Sequence, residues 1–106
     1  MQKWNNKTTE NLLEIILELE TLDEAKKFFR DLLTEAELVE FGKRWQTARM
    51  LNGKVSYSEI EKKIGLSSTT ITRVSKWLKK GTGGYKLMLN RLNHHHTSSS
   101  PKKGLC

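Results

Sequence analysis

The chain has 106 residues, 19 Lys and Arg against 12 Asp and Glu, a net charge of +7 and a single cysteine at its last position. That length argues for one domain, and a lone terminal thiol excludes the disulfide framework that staples small secreted proteins. The first ten residues are polar, so no secretory leader is expected. The longest apolar-rich stretch, Leu12 to Leu19, is far short of the roughly 20 residues needed to cross a bilayer, which leaves the cytoplasm as the expected location and no membrane partner.

No strand pattern or internal repeat interrupts a series of helix-start signals. Thr21-Leu-Asp-Glu24, Thr34-Glu-Ala-Glu37 and Ser56-Tyr-Ser-Glu59 each read as a capping box, in which a hydroxyl accepts from a free backbone N–H and the Glu reaches back to the cap's own N–H. These signals predict an all-α fold of about six helices. The first covers about Thr9 to Glu20. Its apolar side chains (Leu12, Leu13, Ile15, Ile16, Leu17, Leu19) occupy more of the circumference than one packing face needs, so burial against two surfaces is expected. The second runs from about Leu22 to Leu33. The third runs from Glu35 to about Asn52 and stops at Gly53, with a stripe of Leu38, Phe41, Trp45, Ala48 and Leu51. A short helix from Tyr57 to Ile64 ends at Gly65, and another starts after Ser67 and reaches Lys80. A flexible break at Gly81-Thr-Gly-Gly84 precedes a last helix from Tyr85 to about Leu92. Residues 1–93 are expected to form the folded domain. From His94 onward almost no apolar side chain remains, and residues 94–106 are expected to be a disordered tail.

Charge is unevenly spread. Residues 1–52 carry eight Lys and Arg against ten acids, a balance of −2, while residues 53–106 carry eleven against two, a balance of +9. A basic half joined to an apolar, near-neutral half suggests one end for polyanions and one for packing.

The segment from Ser56 to Leu78 has the parts of a helix-turn-helix. Ile60 and Ile64 give a short first helix its inner face, Gly65 permits the turn, and Leu66 plugs the corner. Ile71, Val74 and Leu78 form the buried stripe of the second helix. Its other face opens with Ser67, Ser68, Thr69, Thr70 and Thr72, short hydroxyl side chains that let a helix approach the major-groove floor, bond base edges or phosphates and touch a thymine methyl. Arg73, Lys76, Lys79 and Lys80 follow, in keeping with a phosphate-lined groove. The candidate DNA contacts are Lys54, Ser58, Ser67, Ser68, Thr69, Thr70, Thr72 and Lys76, with Lys62, Lys63 and Lys79 as further phosphate partners. The bland alternative is that a run of Ser and Thr merely caps a helix.

At this point the chain resembles the tryptophan repressor superfamily, particularly its YerC/YecD-like branch. The resemblance rests on Leu33-Thr34 opening a helix, Gly42 within it, Arg49-Met-Leu-Asn-Gly53 closing it, then Ser56, Glu59-Ile60, Ile64-Gly65 and Thr70-Ile-Thr-Arg73, with Thr69 where Ala is usual. It covers roughly residues 33–80. It implies an intertwined homodimer in which residues 1–33 interlock with a partner and residues 34–93 form the helix-turn-helix core and C-terminal helix. Two recognition helices would then enter successive major grooves of double-stranded DNA, a docking geometry known for this family.

The resemblance also implies an effector pocket at Thr34, Arg44, Arg73, Val74 and Trp77, with Lys43 as an alternative to Arg44 because the chain is one residue short between Leu33 and Gly53. Val74 and Trp77 stand where the family leaves room for an indole. The added volume argues against binding of free tryptophan, with Trp77 either filling the pocket itself or serving as an ordinary packed aromatic. Whether another small-molecule effector binds is left open.

Other chemistry finds little support. His94-His-His96 and Cys106 do not make a metal site, since three adjacent His on a helix cannot converge on one ion. No phosphate-binding loop or activated nucleophile is present, so no catalysis and no cofactor are expected. Tyr85 and Trp77 beside Lys79, Lys80 and Lys86 allow an RNA-binding alternative by stacking. The apolar N-terminal helices allow a protein-interaction module.

Overall fold

In a computed structural model, which describes residues 3–98 and the side chains of residues 3–94, six helices follow one another with no strand among the described residues. They divide into two compact units, one ending at Leu38 and one beginning at Val39, where the sequence suggested a division after Leu33. None of these helices is long and apolar enough to cross a membrane.

The first unit opens with α1, Lys7–Ile16. It starts ahead of the expected Thr9 because Asn6 and Thr9 form their own capping box: the Asn6 side chain accepts the Thr9 N–H at 3.0 Å, and Thr9 Oγ1 accepts the Asn6 N–H at 3.0 Å. It ends short of Glu20 because the N–H groups of Leu17, Glu18 and Leu19 bond three residues back, tightening the last turn. That frees the Glu20 N–H, which donates to the Glu24 carboxylate at 2.9 Å. The expected box at Thr21 is therefore half-formed: Thr21 Oγ1 accepts the Glu24 N–H at 3.1 Å, but Glu24 reaches Glu20.

Helix α2, Leu22–Leu32, stops where Leu33 turns extended. Arg30 braces this corner, donating to the Leu33 carbonyl at 2.9 Å and pairing with Glu35 at 3.4 Å. Thr34 and Glu37 make a complete capping box, at 2.9 and 3.1 Å, for α3, Glu35–Asn52. Neither α1 nor α2 buries a residue, and Leu13, Ile15, Leu17 and Leu22 are half or more exposed, Leu17 to 81%. The two-sided burial expected of the first helix is not seen among the described residues.

The second unit has a core. Helix α4, Tyr57–Ile64, and helix α5, Ser68–Lys80, bury Ile60, Leu66 and Ile71, against which Met50, Leu51, Val55 and Ile64 pack. Ile60, Ile71, Val74 and Ala48 have no exposed surface, and each large aliphatic buried this way contributes roughly 1.5–3 kcal/mol. Leu78, expected in this stripe, is half-buried, and Ser75 takes a buried place beside Val74. The turn between α4 and α5 works because Gly65 adopts a left-handed conformation, φ 83°, and donates its N–H to the Glu61 carbonyl at 3.0 Å. The stripe expected on α3 is graded: Ala48 is buried, Trp45 and Leu51 are half-buried, and Phe41 is exposed.

Helix α5 ends at Gly81, a position with no room for a side chain. A Cβ at that position would lie 2.3 Å from the Trp77 carbonyl oxygen. Lys86 donates to the Lys79 carbonyl at 3.4 Å, placing a cation near the end of α5. The last helix, α6, spans Gly84–Ser98 and buries Leu89. It runs past the expected end at Leu92, through residues 94–98 of the expected tail. Polar side chains can continue a helix once it is nucleated, and the first breaker after Gly84 is Pro101. The remainder of the expected tail, residues 99–106, lies outside the described residues.

Candidate nucleic-acid interface

The outward face of α5 is built from the inside. Ile71 and Val74 are fully buried, so helical periodicity turns Ser68, Thr69, Thr72, Arg73 and Lys76 outward, and all five are exposed. Ser67 is exposed and caps the helix, its Oγ accepting the Thr70 N–H at 3.2 Å. Thr70 is half-buried and pairs with that same hydroxyl, so it belongs to the edge of the face.

The flanking cations are also in place. Lys54 stands exposed in the α3–α4 turn with φ 67°, the left-handed region. Ser58, Lys62 and Lys63 are exposed on α4, and Lys79 and Lys80 on the last turn of α5. Lys63 lies 3.9 Å from Glu59, with both side chains more than half exposed, a pairing too weak to withhold the cation from a partner. Ser56 accepts the Glu59 N–H at 3.3 Å and thereby caps α4.

The residues suggested for an effector pocket differ in placement and burial. Thr34 belongs to the first unit and is committed to its capping box. Val74 is wholly inside the core, and Arg73 faces outward. Of the two candidate cations on α3, Arg44 is the one beside Trp77. Its guanidinium carbon lies 5.8 Å from the Trp77 ring centre and 5.5 Å from that of Phe41, with Glu40 at 3.4 Å. The Nε of Arg44 is buried without an aligned hydrogen bond, so the carboxylate acts there through charge alone. Lys43 instead brings its amine to within 3.9 Å of where a Gly65 Cβ would stand. Trp77, 42% exposed, borders an open apolar groove of about 560 Å³.

The other walls of that groove are Trp45, Gly81, Thr82, Gly84, Tyr85 and Met88, which sequence reasoning did not bring together. Trp45 and Tyr85 stack with ring centres 6.3 Å apart, which commits one face of Tyr85 and leaves less of it for the base stacking of an RNA-binding reading. Burial pushes the Tyr85 phenol above its ordinary 10.0, while Arg44 pulls it the other way. No local signal joins Trp45 to Tyr85, forty residues away in sequence; only the fold brings them together.

With this geometry in place, comparison with known proteins is specific. Residues 7–93 match the family described as Trp repressor protein. The chain is 36% identical over 102 residues to the uncharacterized protein YerC of Bacillus subtilis (strain 168), covering 96% of this chain and 98% of that one. Among solved structures it is similar to a TrpR like protein from Eubacterium eligens ATCC 27750, with a TM-score of 0.82, 37% identity, and coverage of 86% of this chain and 94% of that one. It is equally similar to a proposed Trp repressor from Staphylococcus aureus, with a TM-score of 0.82, 36% identity, and coverage of 88% and 95%.

Proposed function

The chain belongs to the Trp repressor protein family, and from that premise we propose that it is a cytoplasmic, homodimeric transcriptional repressor that reads double-stranded DNA with α5. One observation carries the reading: Ile71 and Val74 anchor α5 in the core while Ser68, Thr69 and Thr72 stand outward on its opposite face. A helix held this way can enter the major groove, where Ser and Thr hydroxyls bond base edges. Lys54, Lys62, Lys63, Lys76 and Lys79, with Ser58, contact the phosphates on either side. The uncovered apolar residues of α1 and α2 form the dimer surface, because an exposed patch of that kind needs a partner.

Selection of bound sequences from random duplex DNA tests this directly. A two-fold symmetric consensus is expected, and Thr69→Asp, which sets a carboxylate against phosphate, abolishes binding without unfolding the chain. Normal binding by that variant ends the assignment of the reading face. Salt discriminates the rival reading, a protein-interaction module: DNA binding falls with a log–log slope of about −0.9 per phosphate neutralised, whereas apolar docking hardly changes.

The repressor acts without free tryptophan. Val74 fills core volume, and Trp77 already carries the Arg44 cation against its ring. Calorimetry is expected to give no heat with tryptophan, and micromolar binding overturns this part of the proposal.

A further inference from the structure

The hydroxyl side chains of α5 are not equivalent. Ser67 and Thr70 are occupied with each other, their oxygens 3.1 Å apart. Thr72 turns its hydroxyl back along the helix and donates to the Ser68 carbonyl at 2.9 Å. This bond, from a residue to the carbonyl four before it, satisfies the donor inside the helix. Since Thr72 is exposed, its methyl is the group left for a partner to meet. The hydroxyls of Ser68 and Thr69 are exposed and engaged by nothing among the described residues.

Position strengthens the distinction. Thr69, Thr72, Arg73 and Lys76 stand at i, i+3, i+4 and i+7, one continuous strip of the helix surface. Thr72 sits in the middle of that strip, one turn beyond the free backbone N–H groups of the helix start. A small apolar group is therefore framed by free hydroxyls on one side and by cations on the other.

Resting on the DNA-binding reading above, we propose that Thr72 is an apolar specificity determinant whose methyl reads the C5-methyl of a thymine, with Ser68 and Thr69 supplying the polar contacts. Only thymine among the four bases carries a methyl in the major groove, so such a contact separates it from cytosine at the same position. Burying one methyl group in this way changes affinity by roughly fourfold per protomer.

The test uses the duplex selected by the full-length wild-type protein. Binding is measured by fluorescence anisotropy for wild type, Thr72→Val and Thr72→Ser, on that duplex and on copies in which single thymines are replaced by uracil. Thermal melts confirm that each variant is folded. Thr72→Val keeps the methyl and is expected to bind like wild type, with the same weakening at one uracil position. Thr72→Ser keeps the hydroxyl, binds the thymine duplex about fourfold more weakly per protomer, and loses its response to uracil there. If Thr72→Val binds more weakly than Thr72→Ser, or no uracil position distinguishes the three proteins, the methyl assignment is wrong while the DNA-binding reading stands. If wild type selects no duplex at all, that reading fails and this inference falls with it.

Discussion

The two units of this chain handle apolar side chains in opposite ways. The first is the more conspicuously apolar in sequence, yet no residue of α1 or α2 is fully buried. The second is basic and looks poorer in apolar residues, yet it closes a core around Ile60, Ile71 and Val74. Apolar patterning thus reports that a surface will be covered, and not that the same chain covers it. One unit is built to fold and present a helix, and the proposed role of the other is to join two such units.

The sharpest way to break this comparison is to charge the first unit. On the proposed homodimer, Leu13→Asp with Leu17→Asp is expected to weaken association by about 5 kcal/mol or more, since each carboxylate would be buried unpaired. Light scattering after gel filtration would show monomer. If the pair leaves the oligomeric state unchanged, these apolar side chains of the first unit have another use.

In the second unit the same logic predicts loss of stability, not of assembly. Ile71→Ala is expected to destabilise by about 2–5 kcal/mol in urea melts, the usual cost of emptying a filled core position. Ser67→Ala removes the α5 cap and is expected to cost about 1 kcal/mol in the same assay. The smallest effect concerns Tyr85. Its folded-state pKa is raised, so its neutral form contributes stability that is fully present below the unfolded value near 10 and is lost as pH rises through the higher folded value. An absorbance titration of wild type against Tyr85→Phe should place its ionisation above 10.0.

Much of the second unit was legible in the sequence because its boundaries are set locally. Ser56, Gly65 and Ser67 each dictate a cap or stop through their own backbone and side chain, and α3, α4 and α5 follow the expected bounds. The outward face of α5 was legible for the same reason, since Ile71 and Val74 define the inside by periodicity alone. What escaped has non-local or competing causes. α1 ends early because its last N–H groups bond three residues back, which leaves the Glu20 N–H to Glu24 at the start of α2, a contest between two adjacent signals that neither reveals alone. α6 runs on because lack of apolar residues is not a stop signal. The aromatic groove needs Trp45 beside Tyr85, and the separate uses of the Thr70 and Thr72 hydroxyls depend on rotamers that composition does not encode.

Gly81 leaves its own mark on which variants of this protein can survive. A Cβ there meets the backbone oxygen of Trp77, which has no flexible end to swing aside, whereas Gly42 and Gly84 have open space in the same direction. In a saturation library, position 81 should reject all nineteen replacements alike, whatever their polarity or size, and Gly42 should accept small ones. Grafting a new loop or tag between α5 and α6 has to begin after that glycine.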